Sequence, residues 1–323
     1  MLAQASSPRS KVLVTGAAGF VGRRLVALLE RHGHEVIGLD LCSGATHVGD
    51  VCDRAAVRAL VPEGGIVLHL ASVVGVVEVL RRPAETWRVC VEGTRQVCAA
   101  ALERGARVVL TSSSEVYGAG RRQTESARLP VSYGGGGRAA YPLGKREAEA
   151  IVRRFCARGG DGRVARLFNV SGPGQRAATG MVLPTFVENA LRARPLPIVG
   201  DGTDVRCFQH VDDAAEALER LAFVERATAR TINLGSDDPI TVRALAARVL
   251  HLLGVDVPLR PVTSRQRYGA DAGRCRCRVP DTRLALQLLG YRPRRGLDRI
   301  VTDLAQTMSS PTPCVESPVT RAS

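Results

Sequence analysis

The chain has 323 residues, of which 45% are hydrophobic and 24% are charged, and its formal net charge is +14 at pH 7. That length supports one large or two coupled domains with a substantial core. No apolar run approaches the roughly 20 residues of a membrane span, and Met1–Lys11 lacks a signal peptide's apolar core, so a cytoplasmic protein is expected. Aromatic residues are only 4% and basic residues are spread throughout, which argues against a nucleic-acid partner and leaves an anionic ligand or a solvated surface.

The cysteines do not form a metal-binding pattern. There are nine of them, scattered through stretches that resemble strands and helices. Cys275 and Cys277 are too close together for a zinc hook and have no second pair nearby. Reduced structural thiols and no metal are therefore predicted.

The first half of the chain alternates between strand-like and helix-like patterns. In chain order the patterns predict strand Lys11–Thr15, helix Val21–Arg31, strands Glu35–Leu39 and Ile66–Leu70, helix Glu85–Arg104, strand Arg107–Thr111, helix Leu143–Ala157 and strand Val164–Phe168. Such alternation is typical of βαβ units. It predicts an α/β fold with a Rossmann-like, doubly wound parallel sheet over residues 1–175.

The second half follows a different pattern. It contains Gly/Pro-rich loops, a helix near Leu183–Ala193, a strand near Thr231–Leu234 and a helix near Thr241–Leu253. A smaller α+β substrate lobe is predicted for residues 176–308, partly interleaved with the first domain. Residues 309–323 are rich in Ser, Pro and Thr and are expected to form a disordered tail.

A glycine-rich turn follows the first predicted strand and opens the first predicted helix. Gly16 allows a tight turn, Gly19 lets the backbone approach a pyrophosphate, and Gly22 lets the helix pack on the strand. Asp40 closes the second strand, where a carboxylate binds ribose hydroxyls and repels a 2′-phosphate. This context favours a cofactor-binding turn over a glycine turn with only a structural role. It also favours NAD over NADP as the cofactor.

Other residues at the predicted strand ends are expected to contact the cofactor. Asp50 is a candidate for the adenine amino group, and the carboxyl ends of such strands are where ligands gather. The remaining candidates for the cofactor site are Phe20, Val21, Val51, Leu70, Ala71 and Ser72.

One tyrosine of the five has a lysine four residues later. The pair is Tyr141 and Lys145, in a chain with only two lysines. Residues at that spacing share a helix face. A nearby cation lowers the pKa of a tyrosine from about 10, so Tyr141 is a candidate base.

A hydroxyl-rich segment follows the strand Arg107–Thr111. Ser113 lies there, where its hydroxyl can orient a sugar alcohol beside the tyrosine. Glu115 follows it and can act as a second acid or base, or it can be a solvated loop residue.

With these motifs, the chain resembles the extended short-chain dehydrogenase/reductase family, and within it the NAD-dependent nucleotide-sugar epimerases, dehydratases and decarboxylases. The resemblance covers about residues 11–305, with motifs in family order and spacing. The matching motifs are TGAAGFVG (15–22), LHLA (68–71), SSSEVYG (112–118), YPLGK (141–145), RLFNV (166–170), GPGQ (172–175), VGDG (199–202), RCF (206–208), VDD (211–213), RVPD (278–281) and LGY (289–291).

The resemblance implies a transient oxidation at C4 of a nucleoside-diphosphate sugar. Tyr141 would take the hydroxyl proton, Ser113 would hydrogen-bond the same oxygen, and Lys145 would hold the nicotinamide ribose and tune Tyr141. The remaining substrate residues would be Asn169, Arg206 and Arg278 around the diphosphate, and Leu196 and Ile198 beside the base.

The reaction that follows oxidation is left open between epimerisation, the favoured interpretation, and decarboxylation. The run Ser113-Ser114-Glu115 and Arg278 are similar to those of UDP-glucuronate decarboxylases, whereas Ser114 disfavours 4,6-dehydration. Against decarboxylation, residues 71–76 lack the proline and the aromatic residue that decarboxylases typically carry there.

Two functions outside this class are alternatives. An NAD-sensing regulator would not need the Tyr141–Lys145 pair, and an NADPH-linked keto reductase would favour a basic residue near Asp40. The family resemblance also implies a homodimer, formed by the predicted helices Glu85–Arg104 and Leu143–Ala157.

Overall fold

The structure is a computed structural model and describes residues 9–119, 122–130, 132–133, 136–272 and 275–309. The predicted tail beyond residue 309 lies outside the described residues. The strands are β1 Lys11–Thr15, β2 Glu35–Asp40, β3 His47–Val48, β4 Ile66–His69, β5 Arg107–Ser113, β6 Arg122–Gln123, β7 Gly162–Leu167, β8 Val170–Ser171, β9 Leu196–Val199, β10 Val205–Arg206, β11 Gln209–His210, β12 Thr231–Leu234, β13 Ile240–Thr241, β14 Leu259–Val262 and β15 Cys277–Pro280. The helices are α1 Phe20–Arg31, α2 Arg54–Leu60, α3 Val76–Arg81, α4 Pro83–Arg88, α5 Thr94–Glu103, α6 Ala140–Ala157, α7 Val182–Leu191, α8 Val211–Phe223, α9 Val242–Leu253, α10 Ser264–Tyr268, α11 Arg283–Leu289 and α12 Leu297–Ser309.

A seven-stranded parallel sheet forms the centre of the molecule. Its order is β12-β7-β5-β4-β1-β2-β3, so the chain crosses over between β1 and β4. Apolar residues of α1 and α8 cover one face, and those of α5 and α6 cover the other. This is the doubly wound α/β sheet expected from the sequence, in which ligands bind outside the carboxyl ends of the strands.

The chain returns to this sheet after residue 175. β12 pairs in parallel with β7 as the sheet's edge strand, although the sequence pattern places it with the second lobe. The helix α8, which was not predicted, packs on α1. Before and after these two elements in the chain, α7, α9 and α12 enclose a separate apolar core. A small sheet of order β13-β10-β15-β6 takes β6 from the first half of the chain.

Two predicted helices have different bounds in the structure. The predicted helix Glu85–Arg104 is interrupted by a π turn over Val89–Gly93, which separates α4 from α5. Helix α6 begins three residues before the predicted start at Leu143, because Pro142 is tolerated in a first helical turn. The earlier start places Tyr141 on the helix. Within the described residues no helix is long and apolar enough to cross a membrane.

Candidate active site

The glycine turn is packed so closely that side chains are excluded from it. Gly16 has φ +75°, and a Cβ there would lie 2.8 Å from the backbone nitrogen of Ala71. A Cβ on Gly22 would lie 2.0 Å from the carbonyl oxygen of Gly16. The turn therefore presents bare backbone at the N-terminus of α1, an environment that favours a pyrophosphate.

Asp40 is fixed beside this turn at the end of β2. Its carboxylate accepts hydrogen bonds from the backbone N–H groups of Ala18 (3.0 Å) and Cys42 (3.2 Å). A carboxylate held in this position suits the hydroxyls of an adenosine ribose. The cradle and the carboxylate together fit a dinucleotide.

The other predicted cofactor residues surround the same cleft. Asp50 accepts a hydrogen bond from the backbone of Cys52 and pairs with Arg88 at 3.0 Å. Burial would raise the pKa of Asp50, but these two bonds outweigh it and lower that pKa. Val51 is buried in the core. Phe20 and Val21 open α1, and Leu70, Ala71 and Ser72 follow β4.

His69 is a buried residue of this region that the sequence analysis did not single out. Its ring nitrogens lie 2.7 Å from the Thr15 hydroxyl and 3.1 Å from the Thr94 hydroxyl. Burial, with a smaller contribution from Lys145, lowers the pKa of His69 to about 3. The neutral ring therefore joins β1, β4 and α5 behind the cofactor cleft.

Ser113, Tyr141 and Lys145 come together at the carboxyl end of β5. Tyr141 is 8% exposed, and Lys145 lies one turn further along α6. Lys145 Nζ donates to the carbonyl oxygen of Thr111 at 2.9 Å and lies 5.8 Å from the centroid of the Tyr141 ring. Ser113 hydrogen-bonds Tyr141, and its hydroxyl also accepts from the backbone of Glu115 at 3.2 Å.

The pKa of Tyr141 is, however, raised rather than lowered. Burial is the largest cause, and the negative charge of Glu115 adds to it, whereas the Ser113 hydrogen bond acts in the opposite direction. Lys145 Nζ hydrogen-bonds the Thr111 carbonyl oxygen, and its charge does not offset these two causes. The lowering expected from the Tyr–Lys spacing is therefore not produced by the protein alone.

Glu115 is held between two arginines. It forms an ion pair with Arg138, and Arg278 Nη1 lies 3.5 Å from the same carboxylate oxygen. The Glu115 and Arg138 side chains are each 11% exposed, so Glu115 is not a solvated loop residue. Burial would raise the pKa of Glu115, but the two guanidinium groups outweigh it and lower that pKa. Glu115 is thus an anion beside Tyr141.

Arg206 and Arg278, predicted to hold the diphosphate, are register partners on β10 and β15. Burial and the charge of Arg278 both lower the pKa of Arg206. Asn169 follows β7 with φ +32° and donates to the carbonyl oxygen of Cys207 at 2.7 Å. A left-handed conformation at a non-glycine residue is frequent at functional sites. The adjacent positive charges suit a polyanion.

The pair Leu196 and Ile198 is placed differently from the other substrate residues. Both side chains are fully buried in the core formed by α7, α9 and α12. Neither residue is exposed to solvent, and a contact between them and the base stays a prediction that rests on the family resemblance.

Arg138 is the functional-site candidate that the sequence analysis missed. It lies in the 3₁₀ turn that leads into α6, and its guanidinium carbon is 5.5 Å from the centroid of the Tyr141 ring. The sequence feature that could have identified Arg138 is its position: it is the charged residue that follows a glycine-rich run, three residues before Tyr141.

Comparisons with known proteins identify the family. The model of the "NAD dependent epimerase/dehydratase family" matches residues 12–235, most of the chain. The chain belongs to this family. It is an enzyme that uses NAD and acts on nucleotide sugars, and its fold is that of the structurally known epimerases and dehydratases.

Among its relatives are two named as decarboxylases. UDP-glucuronic acid decarboxylase 2 of Arabidopsis thaliana is 33% identical over 318 residues, covering 92% of this chain and 68% of that protein. UDP-N-acetyl-alpha-D-glucosaminuronate decarboxylase of Bacillus cytotoxicus is 31% identical, covering 76% of this chain and 80% of that protein. MoeE5, solved with UDP-glucuronic acid and NAD, has a TM-score of 0.79 and 29% identity, covering 92% of this chain and 98% of that one.

Proposed function

We propose that the chain decarboxylates a nucleoside-diphosphate hexuronate through a 4-keto intermediate. The observation that carries this proposal is the buried carboxylate of Glu115, held as an anion between Arg138 and Arg278 next to Tyr141. An ionised acid and a surplus of guanidinium groups beside the oxidation site suit a sugar that is itself anionic. The decarboxylase names of the relatives agree with this chemistry.

Tyr141 begins the reaction by removing the proton from the C4 hydroxyl, while Ser113 holds the same oxygen. NAD, when bound, would accept the hydride from C4 and return it to C4 after carbon dioxide has left, so that no outside oxidant or reductant is needed. Lys145 lies on the Tyr141 side of the cleft, where it can contact a nicotinamide ribose. These residues account for the C4 ketone.

The ketone is β to the C6 carboxylate, so the bond between C5 and C6 can break. Carbon dioxide leaves, and the electron pair of that bond moves into an enolate whose charge rests on the C4 oxygen. Tyr141, now protonated, and Ser113 stabilise that oxygen through hydrogen bonds. A proton from solvent must then return to C5, and Glu115, whose charge acts on Tyr141, can relay it.

Epimerisation at C4 of the same class of substrate is the second candidate. It is favoured by residues 71–76, Ala-Ser-Val-Val-Gly-Val, which lack the proline and aromatic residue typical of decarboxylases. MoeE5 is known in complex with UDP-glucose and with UDP-glucuronic acid, so its site accepts a sugar that has no carboxylate.

The test is incubation of the purified enzyme with UDP-glucuronate, UDP-N-acetylglucosaminuronate and UDP-glucose, followed by mass spectrometry and NMR. Loss of carbon dioxide from a uronate supports decarboxylation. An unchanged mass with an inverted C4 supports epimerisation instead. Tyr141→Phe is the matched control, because it should abolish turnover while NAD stays bound. Turnover of UDP-glucose alone would contradict the hexuronate proposal.

The homodimer and the cytoplasmic location belong to the same proposal. Helix α4 packs on α6, and its Trp87 is 42% exposed, which is unusual for so large an apolar side chain. A second copy of these helices would cover it. Eight cysteines among the described residues are free thiols, as is typical of a reducing compartment.

A further inference from the structure

We infer that Arg138 is a specificity-determining residue that binds the carboxylate of the substrate sugar, exchanging Glu115 for that carboxylate when the substrate enters. The inference rests on the proposed function, since it assigns the acidic group of the hexuronate to one side chain. It goes beyond that function because it separates Arg138 from the arginines expected to hold the diphosphate.

The first argument is the balance of charge. Arg138 and Arg278 share a single carboxylate oxygen of Glu115, so two buried cations face one anion. Among the described residues, Arg138 Nη1 and Arg278 Nε are buried and have no hydrogen-bond partner. A buried donor without a partner costs free energy, more so when it is charged. The cleft is therefore short of one anion, which a substrate can provide.

The second argument is position. Arg138 is only 9% exposed, and its guanidinium group lies against the ring of Tyr141, the base expected at C4. Arg206, by contrast, is on β10 and pairs with Asp204 at 3.4 Å. An anion on Arg138 is thus next to the reacting carbon rather than at the diphosphate. In a hexuronate the carboxylate is carried by C5, the neighbour of C4.

The third argument concerns what the exchange does. Glu115 pairs with one nitrogen of the Arg138 guanidinium group, and its charge raises the pKa of Tyr141. A substrate carboxylate paired with Arg138 would displace Glu115 towards Arg278. A neutral sugar cannot compensate for breaking the ion pair, so it would be bound less well. Arg138 and Glu115 thereby select acidic substrates without contacting the rest of the sugar.

The experiment compares UDP-glucuronate with UDP-glucose on the full-length enzyme. Binding is measured by calorimetry, and KM and kcat are measured for each sugar that turns over. Arg138→Met should weaken UDP-glucuronate binding about tenfold or more and leave UDP-glucose binding unchanged or tighter, because a charge-assisted pair is lost only for the acid. Arg138→Lys should restore part of the preference, since it keeps the charge but loses the fork. Arg154→Met, which removes an exposed arginine paired with Glu147, is the control.

The outcomes separate this inference from the proposed reaction. If Arg138→Met weakens the binding of both sugars equally, Arg138 has only a structural role. If the variant still prefers UDP-glucuronate to UDP-glucose as the wild type does, another group binds the carboxylate. Either result overturns the inference even if carbon dioxide is released by the wild type. If the preference is lost but the wild type releases no carbon dioxide, the inference stands and the decarboxylase proposal fails.

Discussion

At the scale of single residues, the charge of one carboxylate in the site acts on the pKa of one phenol. Glu115 is kept ionised by Arg138 and Arg278, and its charge then raises the pKa of Tyr141. The two groups therefore oppose each other in the free enzyme. A base must be deprotonated to act, so Glu115 costs the first step some rate at neutral pH.

Glu115→Gln tests this opposition. Removing the charge should lower the pKa of Tyr141, so that cofactor reduction in a single turnover shifts to lower pH. Steady-state release of carbon dioxide should instead fall, on the order of 10²- to 10⁴-fold if Glu115 acts as an acid or base. The absorbance of the reduced cofactor against pH is the measurement. The control is Glu147→Gln, which changes a partly exposed carboxylate of α6. If the pH dependence of cofactor reduction is the same in Glu115→Gln and the wild type, Glu115 does not act on the pKa of Tyr141.

At the scale of elements, the cofactor cleft depends on a buried histidine that links β1, β4 and α5. His69 contacts the hydroxyls of Thr15 and Thr94, and its pKa is lowered to about 3. Above pH 6.5 the ring is neutral in both the folded and unfolded states. Between pH 6.5 and 3 the unfolded chain takes up a proton that the folded protein does not, so stability falls as pH falls.

His69→Gln should flatten this pH dependence. The wild type is expected to lose up to about 1.4 kcal/mol of unfolding free energy per pH unit from this group alone. Glutamine can still hydrogen-bond both threonines but does not titrate. Urea unfolding at several pH values, with His251→Gln as an exposed control, provides the comparison. Equal slopes for wild type and His69→Gln would show that the ring is not held neutral.

The parts of the fold that could be predicted from sequence are those encoded by local patterns. The strands of the sheet are short apolar runs, and the turn at Gly16 and Gly22 permits no larger side chain. The place of β12 in the main sheet could not be predicted, because its pattern does not say which strand it pairs with. The ion pair of Glu115 and Arg138 was missed for the same reason, since it depends on how a loop before α6 folds back onto β5.

At the scale of the whole molecule, α4 and α6 form a face whose apolar residues are incompletely covered. Trp87 is 42% exposed on α4, and a Cβ on Gly144 of α6 would lie 3.7 Å from the backbone of Trp87, so the two helices are in close contact. Helix α6 also carries Tyr141 and Lys145. A partner packed on this face would therefore support the helix that positions the base.

Trp87→Glu tests whether a second copy covers this face. A charge buried at the centre of an interface is strongly unfavourable, so the variant should sediment and scatter light as a monomer where the wild type is a dimer. Arg192→Glu, an exposed change that follows α7 and lies outside both predicted dimer helices, would show the effect of added charge alone. If Trp87→Glu becomes monomeric and keeps NAD but loses turnover, the dimer also supports the active site. A wild type that is monomeric at all concentrations would contradict the dimer proposal.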